Sequence, residues 1–186
     1  MKRIFDLVTG AVLLVLLATP MLVIAIAVRV SSEGPALYWS YRVGRNNKIF
    51  IMPKFRSMLI TAPPLATHLL ENPEAYLSPI GGFLRRNSLD EFPQLFSVLM
   101  GNMSFVGPRP ALFNQNNLID MRTRKGVNKI LPGITGWAQV NGRDRLSIPD
   151  KVALDVEYLN RQSFWFDIKI LWITLLKVIN RDGVSH

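Results

Sequence analysis

Residues 7–28 run for 22 positions without a charged side chain, and only Thr9, Gly10, Thr19 and Pro20 interrupt the apolar series. As a straight helix this run would extend about 33 Å, the thickness of a bilayer's hydrocarbon core. Three placements compete. A cleaved leader is suggested by the Lys2-Arg3 start and the small-residue triplet Ala25-Ile26-Ala27, but leader apolar regions usually span about 7–15 residues. A straight crossing conflicts with the charges, because Lys2 and Arg3 precede the run and Arg29 follows it. Basic flanks favour the cytoplasmic side, and a crossing helix would send one of them the wrong way. A segment that enters the bilayer and returns satisfies both flanks. Pro20 removes a backbone donor there, and the neighbouring Thr19 hydroxyl can bond a carbonyl one turn back. Residues 1–30 are therefore expected to form a re-entrant helix-break-helix anchor kinked at Thr19 and Pro20, with residues 31–186 as a domain on one membrane face. A straight span that tolerates its proline is the plain alternative.

Charge asks for an anionic partner. Lys and Arg number 22 against 13 Asp and Glu, a formal net charge of +9 in 186 residues. With 49% apolar residues the chain has enough material for a core, so it is not a disordered polycation. Cysteine is absent, which removes disulfides, thiolate metal sites and thiol nucleophiles. The two histidines are His68, in a proline-rich stretch, and His186. A histidine-based triad or metal site has almost nothing to build on. Neither GxxxxGK[ST] nor GxGxxG occurs, and nothing in the chain matches a nucleic-acid-binding motif. A phospholipid surface or a phosphorylated ligand is the better partner, and nucleic acid is not expected.

Beyond the anchor the pattern predicts a mostly helical α/β unit. Residues 37–55 read as a small antiparallel hairpin turning at Gly44-Arg45-Asn46-Asn47. Between residues 34 and 70 there are five basic residues, Arg42, Arg45, Lys48, Lys54 and Arg56, and no acid. Residues 60–82 carry four prolines and read as an irregular excursion with one short helix. Residues 149–161 and 164–181 read as helices. On the last of these Asp167, Thr174, Lys177 and Arg181 form one narrow polar stripe, which fits either a buried helix or an amphipathic one in the membrane interface.

Chemistry concentrates at Leu84-Arg85-Arg86-Asn87-Ser88-Leu89-Asp90-Glu91-Phe92-Pro93, where two carboxylates follow two guanidiniums. Ser88 and Glu91 have capping-box spacing, but a helix started by Ser88 would place Pro93 where its missing N–H is needed. A helix capped at Asp90 avoids that loss and would put both acids at an N-terminus. In Gly107-Pro108-Arg109-Pro110 the flanking prolines hold Arg109 in extended backbone, which suits a fixed anion contact.

These segments occur in a telling order: Lys54-Phe55-Arg56-Ser57-Met58, then Ser88-Leu89-Asp90-Glu91-Phe92-Pro93-Gln94-Leu95, then Gly107-Pro108-Arg109-Pro110. Pro132-Gly133-Ile134-Thr135-Gly136-Trp137-Ala138-Gln139-Val140-Asn141-Gly142-Arg143 and Phe166-Asp167-Ile168-Lys169 follow. With the proline-broken apolar N-terminus, they resemble the bacterial sugar transferase family, the small monotopic phosphoglycosyl transferases that begin glycan synthesis on a polyprenyl phosphate. The resemblance implies transfer of a sugar 1-phosphate from a UDP-sugar to undecaprenyl phosphate, releasing UMP, at the cytoplasmic face of the bacterial inner membrane. It also implies a Mg²⁺ requirement. Asp90 would be the nucleophile and Glu91 its metal-linked partner. Arg85, Arg109, Lys54 and Arg143 would hold phosphate oxygens, and Asp167 would support the site. Ile60-Thr61-Ala62-Pro63-Pro64 stands where many relatives carry acids, and Ser57 where Thr is usual. The alternative of another class is a non-catalytic basic protein that binds anionic lipid at the membrane surface.

Overall fold

A computed structural model describes residues 1–63, 72–142 and 145–180. The described residues form α1 (Lys2–Ser31), β1 (Leu37–Val43), β2 (Ile49–Phe55), α2 (Gly81–Arg86), α3 (Gln94–Leu99) and β3 (Ser104–Val106). They continue with α4 (Asn116–Arg124), β4 (Gly133–Thr135), α5 (Trp137–Val140), α6 (Ile148–Arg161) and α7 (Phe164–Asn180). The fold is mostly helical. Strands β1 and β2 pair antiparallel from Leu37↔Phe55 to Val43↔Ile49, and β3 pairs with β4 in parallel. The hairpin lies where alternation and turn residues predicted it. Its turn, Arg45–Asn47, uses left-handed backbone at Asn46 and Asn47, which asparagine tolerates well.

Helix α1 is 30 residues long, about 45 Å, and it continues through Pro20. The break expected at Thr19 and Pro20 is thus not an interruption of helical backbone. A proline forfeits one backbone bond, and the bonds on either side of it carry the helix on. One stripe of α1 packs against the rest of the chain along its length. Phe5, Leu13 and Leu17 meet the core built on Val98, Met103, Phe105 and Ile170. Met21, Ile24, Ala25 and Val28 meet Phe55 and Leu84. Recurrence at three- and four-residue steps is the signature of one helical face.

Polar contacts secure both ends of α1. Arg3 donates to the carbonyls of Val98 and Leu99 at the end of α3, at 2.6 and 2.8 Å. Asp6, only 1% exposed, accepts from the Ser104 hydroxyl and the Phe105 N–H of β3, both at 3.1 Å. At the far end Arg29 donates to the Gly34 carbonyl, and Arg56 fastens the same turn through the carbonyls of Ser32, Glu33 and Gly34. Arg3, Arg29 and Arg56 are therefore internal ties as well as basic residues.

The face of α1 opposite this stripe is apolar and bare, with Val15 77% exposed. Helix α7 has the same inversion. Of its polar positions, Asp167 is buried and Thr174 shares a 2.7 Å hydroxyl–hydroxyl bond with Thr135. Trp165, Trp172, Leu175 and Val178 face outward, with Trp165 78% exposed. So α7 is both a core helix and a helix with an exposed apolar face.

Candidate active site

Lys54 comes from β2. In the hairpin register Lys54 faces Tyr38, Met52 faces Ser40 and Phe50 faces Arg42. Side chains alternate along a strand, so these six share one face. Ser40 and Met52 in its middle are buried against the body, which aims Lys54 inward.

The two acids arrive on a short 3-10 turn, Leu89–Glu91. Helix α2 ends at Arg86, and Ser88 then adopts left-handed backbone, φ 55°, which reverses the chain. Leu89 and Phe92 pack into the core around Val28, Phe55 and Leu84, leaving Asp90 and Glu91 between them to face β2. Neither helix start anticipated from the sequence is formed. A capping-box serine needs extended backbone, which Ser88 does not have, and the next helix begins at Gln94 with Pro93 as its cap. The acids precede that helix and do not sit on its N-terminus.

Arg109 is set by backbone packing. A Cβ on Gly107 would lie 2.4 Å from the Leu131 carbonyl oxygen, and one on Gly133 would lie 2.1 Å from the Gly107 nitrogen. Only glycine permits this approach of the Gly107-Pro108-Arg109-Pro110 and Pro132-Gly133 segments. Arg122 then donates to the Arg109 carbonyl at 2.8 Å while its Nε and Nη2 bind Asp155 at 2.9 and 2.7 Å. The Arg122–Asp155 pair is buried and holds the Arg109 loop from behind.

These elements converge on Glu91. Lys54 Nζ and Arg109 Nη2 both reach its Oε1, at 2.8 and 2.7 Å. Lys54 Nζ stands 3.9 Å from Asp90 Oδ2, a much looser approach. The neighbouring carboxylates consequently differ. Burial pushes the Glu91 carboxyl up, but Arg109 and Lys54 outweigh burial and hold it well below the usual range. Burial also pushes Asp90 up, and there the pull of Lys54, countered by Glu91, leaves it raised. Burial lowers Lys54 and Arg85 from their ordinary values, with Glu91 and Asp90 respectively opposing the shift. Adjacent carboxyls with opposed environments are suited to different roles.

The structure thus brings together four residues named from the sequence, Lys54, Asp90, Glu91 and Arg109. Arg85 borders them, its Nε donating to Ser57 Oγ at 2.9 Å. A Cβ on Gly81 would lie 1.9 Å from the Ser57 carbonyl, so a glycine there lets α2 approach closely enough for that bond. Asp167, expected to support the site, is engaged elsewhere: its carboxylate pairs with Lys2 and accepts from Tyr158 at 2.7 Å. Helix α7 turns this position toward the start of α1. Arg143 lies outside the described residues, and Thr19 and Pro20 are within α1. Sequence reasoning missed Arg42, Arg122 and Asp155. Arg42 was visible only as one of five basic residues, and nothing in the sequence joins Arg122 to Asp155 on a separate helix.

No cluster of three or more metal-ligating acids and histidines occurs among the described residues. Among the described residues Asp90 and Glu91 are the carboxylate donors at the site. An ion held by one or two carboxylates and completed by ligand phosphates and water is normal for Mg²⁺, so the donor set fits it.

A family model described as bacterial sugar transferase matches residues 1–181. The chain is 40% identical over 189 residues to the undecaprenyl-phosphate glucose phosphotransferase of Komagataeibacter xylinus, covering 96% of this chain and 36% of that protein. It is 40% identical over 187 residues to the UDP-glucose:undecaprenyl-phosphate glucose-1-phosphate transferase of Escherichia coli, covering 95% of this chain and 40% of that protein. It is 38% identical over 189 residues to a sugar transferase of Bacillus subtilis, EpsL, whose activity is uncharacterised, covering 100% and 91%. The chain therefore spans well under half of the first two relatives and nearly all of the third.

Proposed function

The chain belongs to the bacterial sugar transferase family, and we propose that it transfers a sugar 1-phosphate from a UDP-sugar to undecaprenyl phosphate in two displacements. In the first, an Asp90 carboxylate oxygen bonds to the sugar-bearing phosphorus, and the bond from that phosphorus to the bridging oxygen breaks. UMP leaves with the electron pair. In the second, a phosphate oxygen of undecaprenyl phosphate attacks the same phosphorus. The Asp90–phosphorus bond breaks, the carboxylate is restored, and a polyprenyl diphosphate sugar forms.

One observation carries this reading: Glu91 is clamped by two cations while its neighbour Asp90 is not. A carboxylate already bound to Lys54 and Arg109 is a poor nucleophile. A carboxylate held more loosely is a better one, and a carboxylate nucleophile needs no base to attack phosphorus. Lys54, Arg85 and Arg109 suit the phosphate oxygens of two anionic substrates that repel each other. Asp90 and Glu91 would hold Mg²⁺, which when bound would neutralise charge on those oxygens.

The site works at the membrane in this account, on the cytoplasmic face of the bacterial inner membrane. Exposed apolar faces on α1 and α7 support contact with a membrane. The docking of α1 along its length favours a helix that lies with this body on one side of the bilayer over one that leaves it to cross. Incubation with UDP-glucose and other UDP-sugars, with and without undecaprenyl phosphate, tests the reaction through UMP release. Acceptor-dependent UMP from one donor, lost in Asp90→Asn, is the expected result. UMP from Asp90→Asn at the wild-type rate overturns the assignment.

A further inference from the structure

Arg42 has no place in the chemistry so far, yet it is built into the same site. It shares the inward hairpin face with Lys54, four register pairs nearer the turn. At about 3.4 Å per residue that separates their backbones by roughly 14 Å. The side chain closes much of this gap. Its Nε donates to Ser40 Oγ at 3.0 Å, so it leans back along the strand toward Lys54. Its Nη1 donates to the Pro110 carbonyl at 3.2 Å, against the residue that follows Arg109. Burial and the like charge of Arg109 lower Arg42 to about 10, and Glu91 offsets this only in part.

Among the described residues Arg42, Lys54, Arg85 and Arg109 gather around Asp90 and Glu91, and Lys54 and Arg109 share one oxygen of Glu91. Guanidinium and ammonium groups grouped in this way suit the oxygens of a diphosphate. The cations also have an order. Arg85 and the base of the hairpin lie beside the end of α1, where Leu84 and Phe55 pack on Val28. Arg42 lies toward the hairpin turn, which packs by Asn47 against Thr123 of α4 at 3.0 Å. Arg42 is thus the member of the set placed away from the apolar helix.

On the reading given above, a water-soluble donor and a lipid-borne acceptor approach from opposite ends of this series. We propose that Arg42 binds the nucleotide-side phosphate of the UDP-sugar, the group that departs as UMP, and that it acts in the first displacement and not in the second. The fork of Arg109 and Arg42 then spans the bridging oxygen of the diphosphate. As the bond to that oxygen breaks, Arg42 meets the charge that develops on UMP. Once UMP has left, only the sugar phosphate on Asp90 and the acceptor phosphate remain, and neither needs Arg42.

Kinetics of the full chain in detergent test this. Arg42→Ala is expected to raise KM for UDP-glucose and weaken inhibition by UMP, each about tenfold or more, the loss of one charge-assisted contact. KM for undecaprenyl phosphate should stay within about twofold. So should the rate at which undecaprenyl phosphate discharges a phosphosugar-enzyme formed beforehand at saturating donor. Arg42→Lys, which keeps the charge without the fork, should fall between. Calorimetry with UMP alone should show the same loss of affinity without turnover. If Arg42→Ala does not fold, Arg42→Lys and Arg42→Gln carry the same measurements. Unchanged UMP affinity, or equal slowing of both displacements, overturns the assignment. Wild-type protein that binds UMP in an Arg42-dependent way yet releases none from any UDP-sugar contradicts the transferase reading and leaves the nucleotide contact standing.

Discussion

Two clusters of buried charge flank the segment from Val106 to Arg109, and they are built differently. At one, Asp167 pairs with Lys2 and accepts from Tyr158. Both partners also donate to the Val106 carbonyl, at 2.9 and 3.2 Å. Charges there cancel, the donors are used, and an additional ligand has nothing to add. At the other, one oxygen of Glu91 is shared by Lys54 and Arg109, and Lys54 stands 3.9 Å from Asp90. A closed cluster of the first kind holds elements together. An open cluster of the second kind holds Asp90 more loosely than Glu91, and the residues of the proposed reaction fall in it.

Substitutions should separate the two. The largest effect belongs to the open cluster: Asp90→Asn should lower UMP release at least about a thousandfold, as loss of a covalent nucleophile does. Its melting temperature should stay within a few degrees of wild type, because burial already disfavours the Asp90 charge. Steady-state kinetics and a thermal scan read both. Next comes Arg122→Ala, which joins the two properties. It strands Asp155, 1% exposed, and frees the Arg109 carbonyl. A loss of about 3 kcal/mol is expected. Arg122→Ala/Asp155→Ala should regain part of that stability in denaturant titration without regaining turnover.

The closed cluster should respond in stability first. Lys2→Met removes the partner of Asp167, and because Lys2 is partly exposed the cost is about 2 kcal/mol. Adding Asp167→Asn should cost less than the two single losses summed, since the pair acts as a unit. The smallest effect is that of Ser57→Ala, which deletes the hydroxyl that orients Arg85. About 1 kcal/mol, or a fivefold fall in kcat/KM, is expected, with Ser57→Thr close to wild type.

What the sequence disclosed follows the range of each interaction. The hairpin was legible because alternation and an Asn-rich turn are local, and Asp90, Glu91, Lys54 and Arg109 because ordered motifs marked them. Conformation within a motif was not legible: the left-handed backbone of Ser88 turned an apparent capping box into a chain reversal. Partners distant in sequence were also hidden. Asp167 is expected at the site from the family resemblance, and its contact with Lys2 was hidden because Lys2 lies 165 positions earlier and reads as a membrane flank. Arg42 was one basic residue among five until the strand register separated its face from that of Tyr41 and Val43. The polar stripe of α7 was visible, but its direction depended on Thr135 and Lys2, which lie on other elements.

The central claim is the covalent role of Asp90. Intact-protein mass measurement after incubation with Mg²⁺ and UDP-glucose, or whichever UDP-sugar proves to be the donor, tests it without undecaprenyl phosphate present. The account predicts a gain of one sugar phosphate, located on Asp90, absent in Asp90→Asn and discharged when undecaprenyl phosphate is added. Acceptor-dependent UMP release by a wild-type protein that never carries this mass, or carries it on another residue, would contradict the account.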